Sequence, residues 1–289
     1  MSSDSKYALS VDEFIRLALL EDTGDGDHTS LATVGDHDTG TGNVKVKEDG
    51  IICGMELAKH VLHAVDRGIS IETRSSDGRQ VKKGDIVLIA SGTVRSLLRA
   101  ERLLLNCMQR MSGIATLTNH YAKAVADTGA KILDTRKTTP NFRQFEKQAV
   151  LAGGGFNHRF GLYDMILIKD NHVDAAGGIR QALERTKKYL QAIGKKLRVE
   201  IETRNMEEVR EVLETGIADR IMLDNFSIEA LSEAVRLIDH RLETEASGGI
   251  TLDNVRQVAE AGVDFISVGA LTHSYRSLDI SMKISNRTK

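Results

Sequence analysis

The sequence predicts an α/β protein whose second half folds as a parallel barrel, complete or open. Two observations predict it. Short apolar runs recur at 131–135, 165–169, 197–203, 220–224, 244–250 and 265–271, and helical stretches lie between them at 174–193, 205–215, 227–240 and 251–261. Repeated β-then-α units require a parallel sheet, because right-handed crossovers lay the helices against its outer face. Six runs at this spacing favour a barrel. A doubly wound sheet is the alternative, since strand order is not visible in a sequence.

The first part of the chain reads differently. Residues 11–21 place Phe14, Ile15, Ala18 and Leu19 on one helical face. A glycine- and aspartate-rich loop follows at 21–30. Residues 43–54 and 69–95 read as short strands joined by glycine turns, with a helix at about 55–66 between them. A long helix spans roughly 95–111, where Leu97, Leu98, Leu104, Leu105 and Met108 form an apolar stripe. The pattern changes near residue 112.

Composition excludes several classes of function. Among 289 residues, 39 Lys+Arg against 41 Asp+Glu leave a formal charge of −2, which is neither a nucleic-acid coat nor an acidic disordered chain. The two cysteines, Cys53 and Cys107, make no disulfide framework, and no Cys/His spacing suggests zinc. No apolar run is long enough to span a membrane. The N-terminal residues have neither the basic region nor the apolar stretch of a signal peptide. A reducing, cytoplasmic setting is expected.

In βα barrels, chemistry collects at the carboxyl ends of the strands. Here those ends carry Asp134, Arg136 and Lys137; then Lys169, Asp170, Asn171 and His172; then Glu200 and Glu202; then Asp224; then Ser247-Gly248-Gly249; and last Gly269. Each has a bland reading. Ser247-Gly248-Gly249 is either a tight left-handed turn or a cradle of backbone N–H groups for phosphate. Lys137 and Lys169 are either surface lysines or cations emerging at a catalytic rim. Alternation puts Glu200 and Glu202 on one face, away from Ile201. If that face is the barrel interior, they need cations or a metal, since unpaired buried charge is costly; the bland reading is a pair of salt bridges to the lysines of neighbouring strands, and Asp224 shares the ambiguity.

Three glycines at 153–155 cannot stabilise a helix or strand, so they form a flexible or tightly turned loop presenting Asn157, His158 and Arg159. A His-Arg pair after such a run leans toward anion binding. The single proline, Pro140, follows Arg136 and Lys137 and biases Thr139 away from helix, which delays the next helix and leaves the Arg-Lys pair extended. The stretch LLEDTG at 19–24 superficially matches a phosphoribosyl loop, but that loop must follow a strand and these residues have helical periodicity.

The stretch DTRKTTPNFRQFEKQAVLAGGGFNHRFGLYDMILIKDNH (134–172) resembles the signature of the quinolinate phosphoribosyltransferases. The resemblance continues through LEDTGDGDHTS, RSLLRAERLLLNCMQRMSGIAT, VEIET, IMLDNF, ASGGIT and ISVGALTHS, from about residue 17 to 275. Departures are mild: Asn141-Phe142 stands where the family more often has Gly-Leu, and Cys53 lies in the GIICG loop. The resemblance implies an N-terminal α/β sandwich domain over 1–112 and an open seven-stranded α/β barrel over 113–273, with a C-terminal helix at 274–289 packing back on the first domain. It implies transfer of phosphoribosyl from 5-phosphoribosyl-1-pyrophosphate (PRPP) to quinolinate with decarboxylation, giving nicotinate mononucleotide for NAD biosynthesis, with Mg2+ required.

By motif position, the resemblance assigns the anion site to Arg102, Arg136, Lys137, His158, Arg159 and Lys169. It turns Glu202 and Asp224 toward the ribose hydroxyls and the metal, and gives the 5-phosphate to Ser247, Gly248, Gly249, Gly269 and Ala270. Lys137, Glu202 and Asp224 are the implied catalytic set. The resemblance also implies a homodimer with shared active sites, Arg102 being donated by the neighbouring chain, or a hexamer built from such dimers. Quinolinate brings two carboxylates and PRPP about five negative charges, each phosphate contributing roughly one to two. Five fixed cations, a histidine and a magnesium ion balance that load.

Three alternatives stand beside this reading. One is a molybdenum-transport-associated homologue, another a transferase for a different pyridine acid. The third is a non-catalytic phosphate-binding barrel, which could dispense with Glu202, Asp224 or Lys137; all three are present.

Overall fold

The apolar stripe near the N-terminus forms α1 (Val11–Thr23), capped by Ser10, whose Oγ accepts the Glu13 N–H at 3.2 Å. It is followed by α2 (His28–Thr33), β1 (Thr39–Val46), β2 (Gly50–Ile51), α3 (Met55–Val65), β3 (Ser70–Thr73), β4 (Gln80–Val81) and β5 (Ile86–Thr93). Next comes α4 (Val94–Ala124), well past the expected end near residue 111. The helix runs through the change of pattern near residue 112, and Gly113 inside it serves packing: a Cβ there would lie 2.3 Å from the Arg276 carbonyl oxygen.

The second half runs β6 (Lys131–Leu133), α5 (Arg143–Ala152), β7 (Ile166–Ile168), α6 (Asp170–Ala176), α7 (Ile179–Ile193), β8 (Val199–Thr203) and α8 (Met206–Thr215). It continues with β9 (Arg220–Asp224), α9 (Ile228–Ile238), β10 (Glu243–Ser247), α10 (Val255–Glu260), β11 (Phe265–Ser267), α11 (Ala270–His273) and β12 (Ile280–Asn286). The helix expected over 174–193 is two helices, broken where Gly177 and Gly178 take φ of +91° and +132°.

This is a computed structural model of the chain; it describes residues 9–286, which divide into two compact units. The first holds the described residues up to Asn119, together with Thr138–Gly154 and those from Thr272 onward. Its main sheet has the order β12-β1-β5-β3, with antiparallel neighbours, and β2 pairs with β4 separately. Val44, Val46, Leu88 and Ala90 from this sheet are fully buried with Leu97 and Leu104 of α4. Phe14 of α1 meets Phe142 and Phe145 at centroid distances of 5.4 and 4.9 Å.

The C-terminal helix expected over 274–289 is not what the described residues form. Residues 280–286 are instead strand β12, which pairs with β1 from Val46↔Ile280 to Gly40↔Asn286. The physical reason is a period of two: Ile280 and Met282 are buried and alternate with polar neighbours. Residues 287–289 of that expected helix lie outside the described residues.

The second unit, His120–Lys137 and Gly155–Leu271, holds a six-stranded sheet of order β6-β11-β10-β9-β8-β7. All its pairings are parallel. From β7 to β11 each strand pairs with the next in sequence, and β11 then pairs with β6. That is barrel order, and it overturns the doubly wound alternative, whose strand order reverses at a switch point. Beyond β6 the chain adds one parallel bridge, Leu133↔Phe156, with Phe156 donating to the Ile132 carbonyl at 2.8 Å. Among the described residues the sheet thus has six strands, with this single bridge beside β6 where a seventh was expected. Among the described residues, no helix is long and apolar enough to cross a membrane.

Candidate active site

The parallel sheet brings twelve of the thirteen sequence-assigned residues to the carboxyl side of its strands. Arg136 and Lys137 follow β6, His158 and Arg159 follow the Phe156 bridge, and Lys169 follows β7. Glu202 lies on β8, Asp224 ends β9, Ser247 ends β10 with Gly248 and Gly249 after it, and Gly269 and Ala270 follow β11. The thirteenth, Arg102, is exposed on α4 in the first unit.

Two of the cations at this rim, Arg159 and Arg136, lie within electrostatic reach of one another. Arg159 is 9% exposed, and its Nη1 donates to the Met165 carbonyl at 3.1 Å. Burial, and then the like charge of Arg136, hold its guanidinium below its ordinary pKa. Two guanidiniums in that relation favour an anion that both can share. Arg136 and Lys137 are exposed in the loop before Pro140, and the Lys137 N–H donates to Thr135 Oγ1 at 3.0 Å. The next helix, α5, begins only at Arg143, so the delay expected from Pro140 is present. The loop after Arg159 is pinned by Asp164, which accepts the Phe160 and Gly161 N–H groups at 2.6 and 2.8 Å.

Carboxylates occupy the adjoining arc. Glu202 is buried; Lys169 Nζ lies 4.0 Å from its Oε2. Burial first, then the negative charge of Asp224, push Glu202 above the ordinary carboxylate range. Two facing carboxylates of this kind, one of them raised, suit a divalent cation or ribose hydroxyls.

The glycine turn is constrained by sterics. Gly248 has φ +90°, and a Cβ on it would fall 2.2 Å from Asn225 Oδ1. Asn225 itself sits at φ +56°; its N–H donates to the Ser247 carbonyl at 2.9 Å and its Nδ2 to Asp224 Oδ2 at 2.6 Å. The turn and the acidic arc are therefore built together. The helix expected near Thr251 begins at Val255, and Asn254 closes the intervening turn by accepting the Thr251 N–H at 2.9 Å and donating to the Gly249 carbonyl at 2.9 Å.

Below the rim lies a second charged layer. Glu200, two residues before Glu202 and on the same face, is fully buried with Glu245 of β10. His158 turns its ring into this layer, with Nε2 at 3.0 Å from Glu200 Oε2 and 3.5 Å from Glu245 Oε2. Its Nδ1 accepts the Arg159 N–H at 2.7 Å. Both ring nitrogens are thus engaged within the chain, and the side chain is 6% exposed. This differs from the direct anion grip assigned to His158, because two buried carboxylates attract the ring more closely than the open rim. Burial opposes a second proton on this ring and the two carboxylates favour one, but the Arg159 N–H directed at Nδ1 occupies the site that proton would need, so the ring holds its proton on Nε2 toward the glutamates. Arg220 completes the layer: its Nη1 lies 3.0 Å from Glu245 Oε2, its Nη2 3.0 Å from Glu243 Oε2, and its guanidinium stacks 4.0 Å from the Phe265 ring centroid.

Of the neighbouring-strand lysines expected opposite Glu200 and Glu202, Lys169 does lie near Glu202, whereas Glu200 is met by His158 and Arg220 instead. Sequence reasoning missed Glu245, Arg220 and Asn225. The available signal was the alternation of Glu243, Glu245 and Ser247, which marks one inward face.

A parallel α/β barrel with clustered cations, facing carboxylates and a glycine turn at its strand ends defines an enzyme for polyanionic substrates. The chain belongs to the quinolinate phosphoribosyltransferase family: its N-terminal domain model matches residues 27–112 and its C-terminal domain model residues 114–283. The chain is 47% identical over 285 residues to the chloroplastic nicotinate-nucleotide pyrophosphorylase [carboxylating] of Arabidopsis thaliana, covering 93% of this chain and 81% of that one. It is 42% identical to the probable nicotinate-nucleotide pyrophosphorylase [carboxylating] of Bacillus subtilis, covering 96% and 94%. The solved nicotinate-nucleotide pyrophosphorylase of Francisella tularensis superimposes with a TM-score of 0.90 at 39% identity, covering 95% and 96%.

Proposed function

We propose that the chain transfers the phosphoribosyl group of PRPP to quinolinate and decarboxylates the product, releasing pyrophosphate and carbon dioxide and leaving nicotinate mononucleotide for NAD biosynthesis. The observation that carries this reading is the buried Arg159 fork, held by the Met165 carbonyl at the strand ends, with the positive charge of Arg136 acting on it from the preceding loop. Adjacent carboxylates on one aromatic ring are a fitting shared anion. Arginine forks fix the ring plane, which sets the pyridine nitrogen against the anomeric carbon.

The nitrogen lone pair forms the new C–N bond as the anomeric C–O bond breaks, and that electron pair leaves with pyrophosphate. Glu202 and Asp224 face the developing positive charge on the ribose and stabilise it. The nitrogen now carries a positive charge. The bond from C2 to its carboxylate then breaks, its electron pair stays on C2 beside that charge, and carbon dioxide departs. A proton from water completes C2. No covalent enzyme intermediate is needed.

The Glu202–Asp224 pair fits Mg2+, since two facing carboxylates with one raised by the other gain from a divalent charge between them. These two residues would hold the ion, directly or through its water and the PRPP hydroxyls, and bound magnesium would neutralise charge on the departing pyrophosphate. Ser247, Gly248, Gly249, Gly269 and Ala270 take the 5-phosphate in this reading. Lys169 bridges the acidic arc and the anion grip.

Arg102 is exposed on α4 of the first unit, which suits donation to a neighbouring chain's site in a homodimer. Mixing Arg102→Ala with Lys137→Ala subunits should then restore partial activity; failure after confirmed subunit exchange overturns the shared site. We also place the protein in the cytoplasm, a reducing setting in keeping with the two free buried thiols, Cys53 and Cys107.

The test of the reaction is turnover with PRPP and magnesium, with quinolinate or nicotinate supplied in parallel. Quinolinate should be consumed and nicotinate should not. Turnover of nicotinate alone overturns the reading.

A further inference from the structure

We propose that Glu200, Glu245 and Arg220 are positioning residues, which set the anion grip through His158 and Arg159 without touching substrate. His158 is fixed through both its backbone and its ring. Its N–H donates to Oδ1 of the fully buried Asp134 at 2.8 Å, and its ring reaches inward to Glu200 and Glu245. These partners come from β8 and β10, and Asp134 directly follows β6. One residue is thereby tied to three separate parts of the barrel.

Arg159 is the next residue, and its own N–H is given to the ring at Nδ1. Its guanidinium is held from the other side by the Met165 carbonyl. The fork that grips a carboxylate is therefore located by a buried ring on one side and one carbonyl on the other. Displacement of the ring tilts the fork, and bidentate recognition tolerates little tilt.

Arg220 keeps the layer in place. It spans Glu243 and Glu245 on β10, and its Nη1 lies 4.0 Å from Glu200 Oε2. Without it, two buried carboxylates would face one another across a single histidine, and the layer would open.

His158, Glu200 and Glu245 also lie close enough to surround a metal ion. The hydrogen bond at Nδ1 argues against that use. A ring that accepts there carries its proton on Nε2, the nitrogen a metal would need, and Arg220 already supplies the cation.

The inference rests on reading the rim as a pyridine-dicarboxylate grip, so the test separates the two. Glu200→Gln and Glu245→Gln keep the shape of each side chain and remove one charge. Both variants, with wild type alongside, are assayed for KM toward quinolinate and toward PRPP. The KM for quinolinate should rise about tenfold to a hundredfold, while that for PRPP stays within about threefold. An unchanged quinolinate KM in a folded variant, or an equal rise in both constants, overturns positioning. Wild type that is inert with quinolinate overturns the proposed reaction instead. A second measurement needs neither turnover nor a variant that folds. In wild-type protein with 15N-labelled histidine, NMR should show a proton on Nε2 of His158, and a ring protonated only at Nδ1 overturns the inference.

Discussion

Glu200 and Glu202 stand two residues apart on one face of β8, yet their surroundings differ in kind. Glu200 faces His158 and Arg220 in a layer closed to solvent. Glu202 faces Asp224 and the half-exposed Lys169 at the strand ends. The inner glutamate is enclosed with Glu245 between His158 and Arg220, whereas the outer one shares the open rim with Asp224 and has the half-exposed Lys169 4.0 Å away. Residue type alone does not separate structure from chemistry here. Depth along the strand does.

The comparison can be broken at the rim first, where the largest effects are expected. Lys137→Ala should reduce turnover by about a thousandfold or more with the fold intact by circular dichroism, since it removes a charge aimed at the reacting anions. Glu202→Gln should lower kcat about a hundredfold while the KM for quinolinate changes little, the reverse of the pattern expected for Glu200→Gln. Matching kinetic patterns in the two glutamine variants would erase the distinction between the layers.

The pH dependence sharpens the same contrast. Burial and Asp224 raise Glu202 above 4.5, its ordinary value, so its proton is held to higher pH than that of an exposed glutamate. As pH falls through that raised pKa, Glu202 takes up a proton and stops stabilising positive charge. The acid limb of kcat/KM, which reports the unliganded enzyme, should therefore lie above pH 4.5 in wild type and be absent from the residual activity of Glu202→Gln.

Smaller effects follow from the glycines. Gly248→Ala places a methyl group against Asn225 at a positive φ and should raise the KM for PRPP several-fold, with about 1–3 kcal/mol lost in stability. Gly113→Ala presses on the Arg276 carbonyl and should cost about 1–3 kcal/mol in thermal or denaturant unfolding, with both KM values unchanged. A shift in KM there would connect the first unit's packing to the site.

Most of the rim was legible in the sequence because strand ends follow directly from the βα period. Once β6 to β11 are placed, Lys169, Asp224 and Ser247 must lie on the same side of the sheet. The inner layer was not legible, because Glu245 and Arg220 become partners only through the registers Glu243↔Arg220 and Glu200↔Arg220. The length of α4 was hidden for a similar reason. The apolar stripe stops near Met108, and the backbone of Arg276 that packs on Gly113 is brought there only by the fold. The last strand was obscured by the resemblance, which implied a helix where Ile280 and Met282 follow a period of two.

The central claim is that one site couples phosphoribosyl transfer to loss of the C2 carboxylate. Quinolinate labelled at that carboxylate tests it directly, with released carbon dioxide and nicotinate mononucleotide counted together in the presence and absence of PRPP. The two products should appear mole for mole and only when PRPP is present. Label released without PRPP, or mononucleotide formed with the label retained, would contradict it.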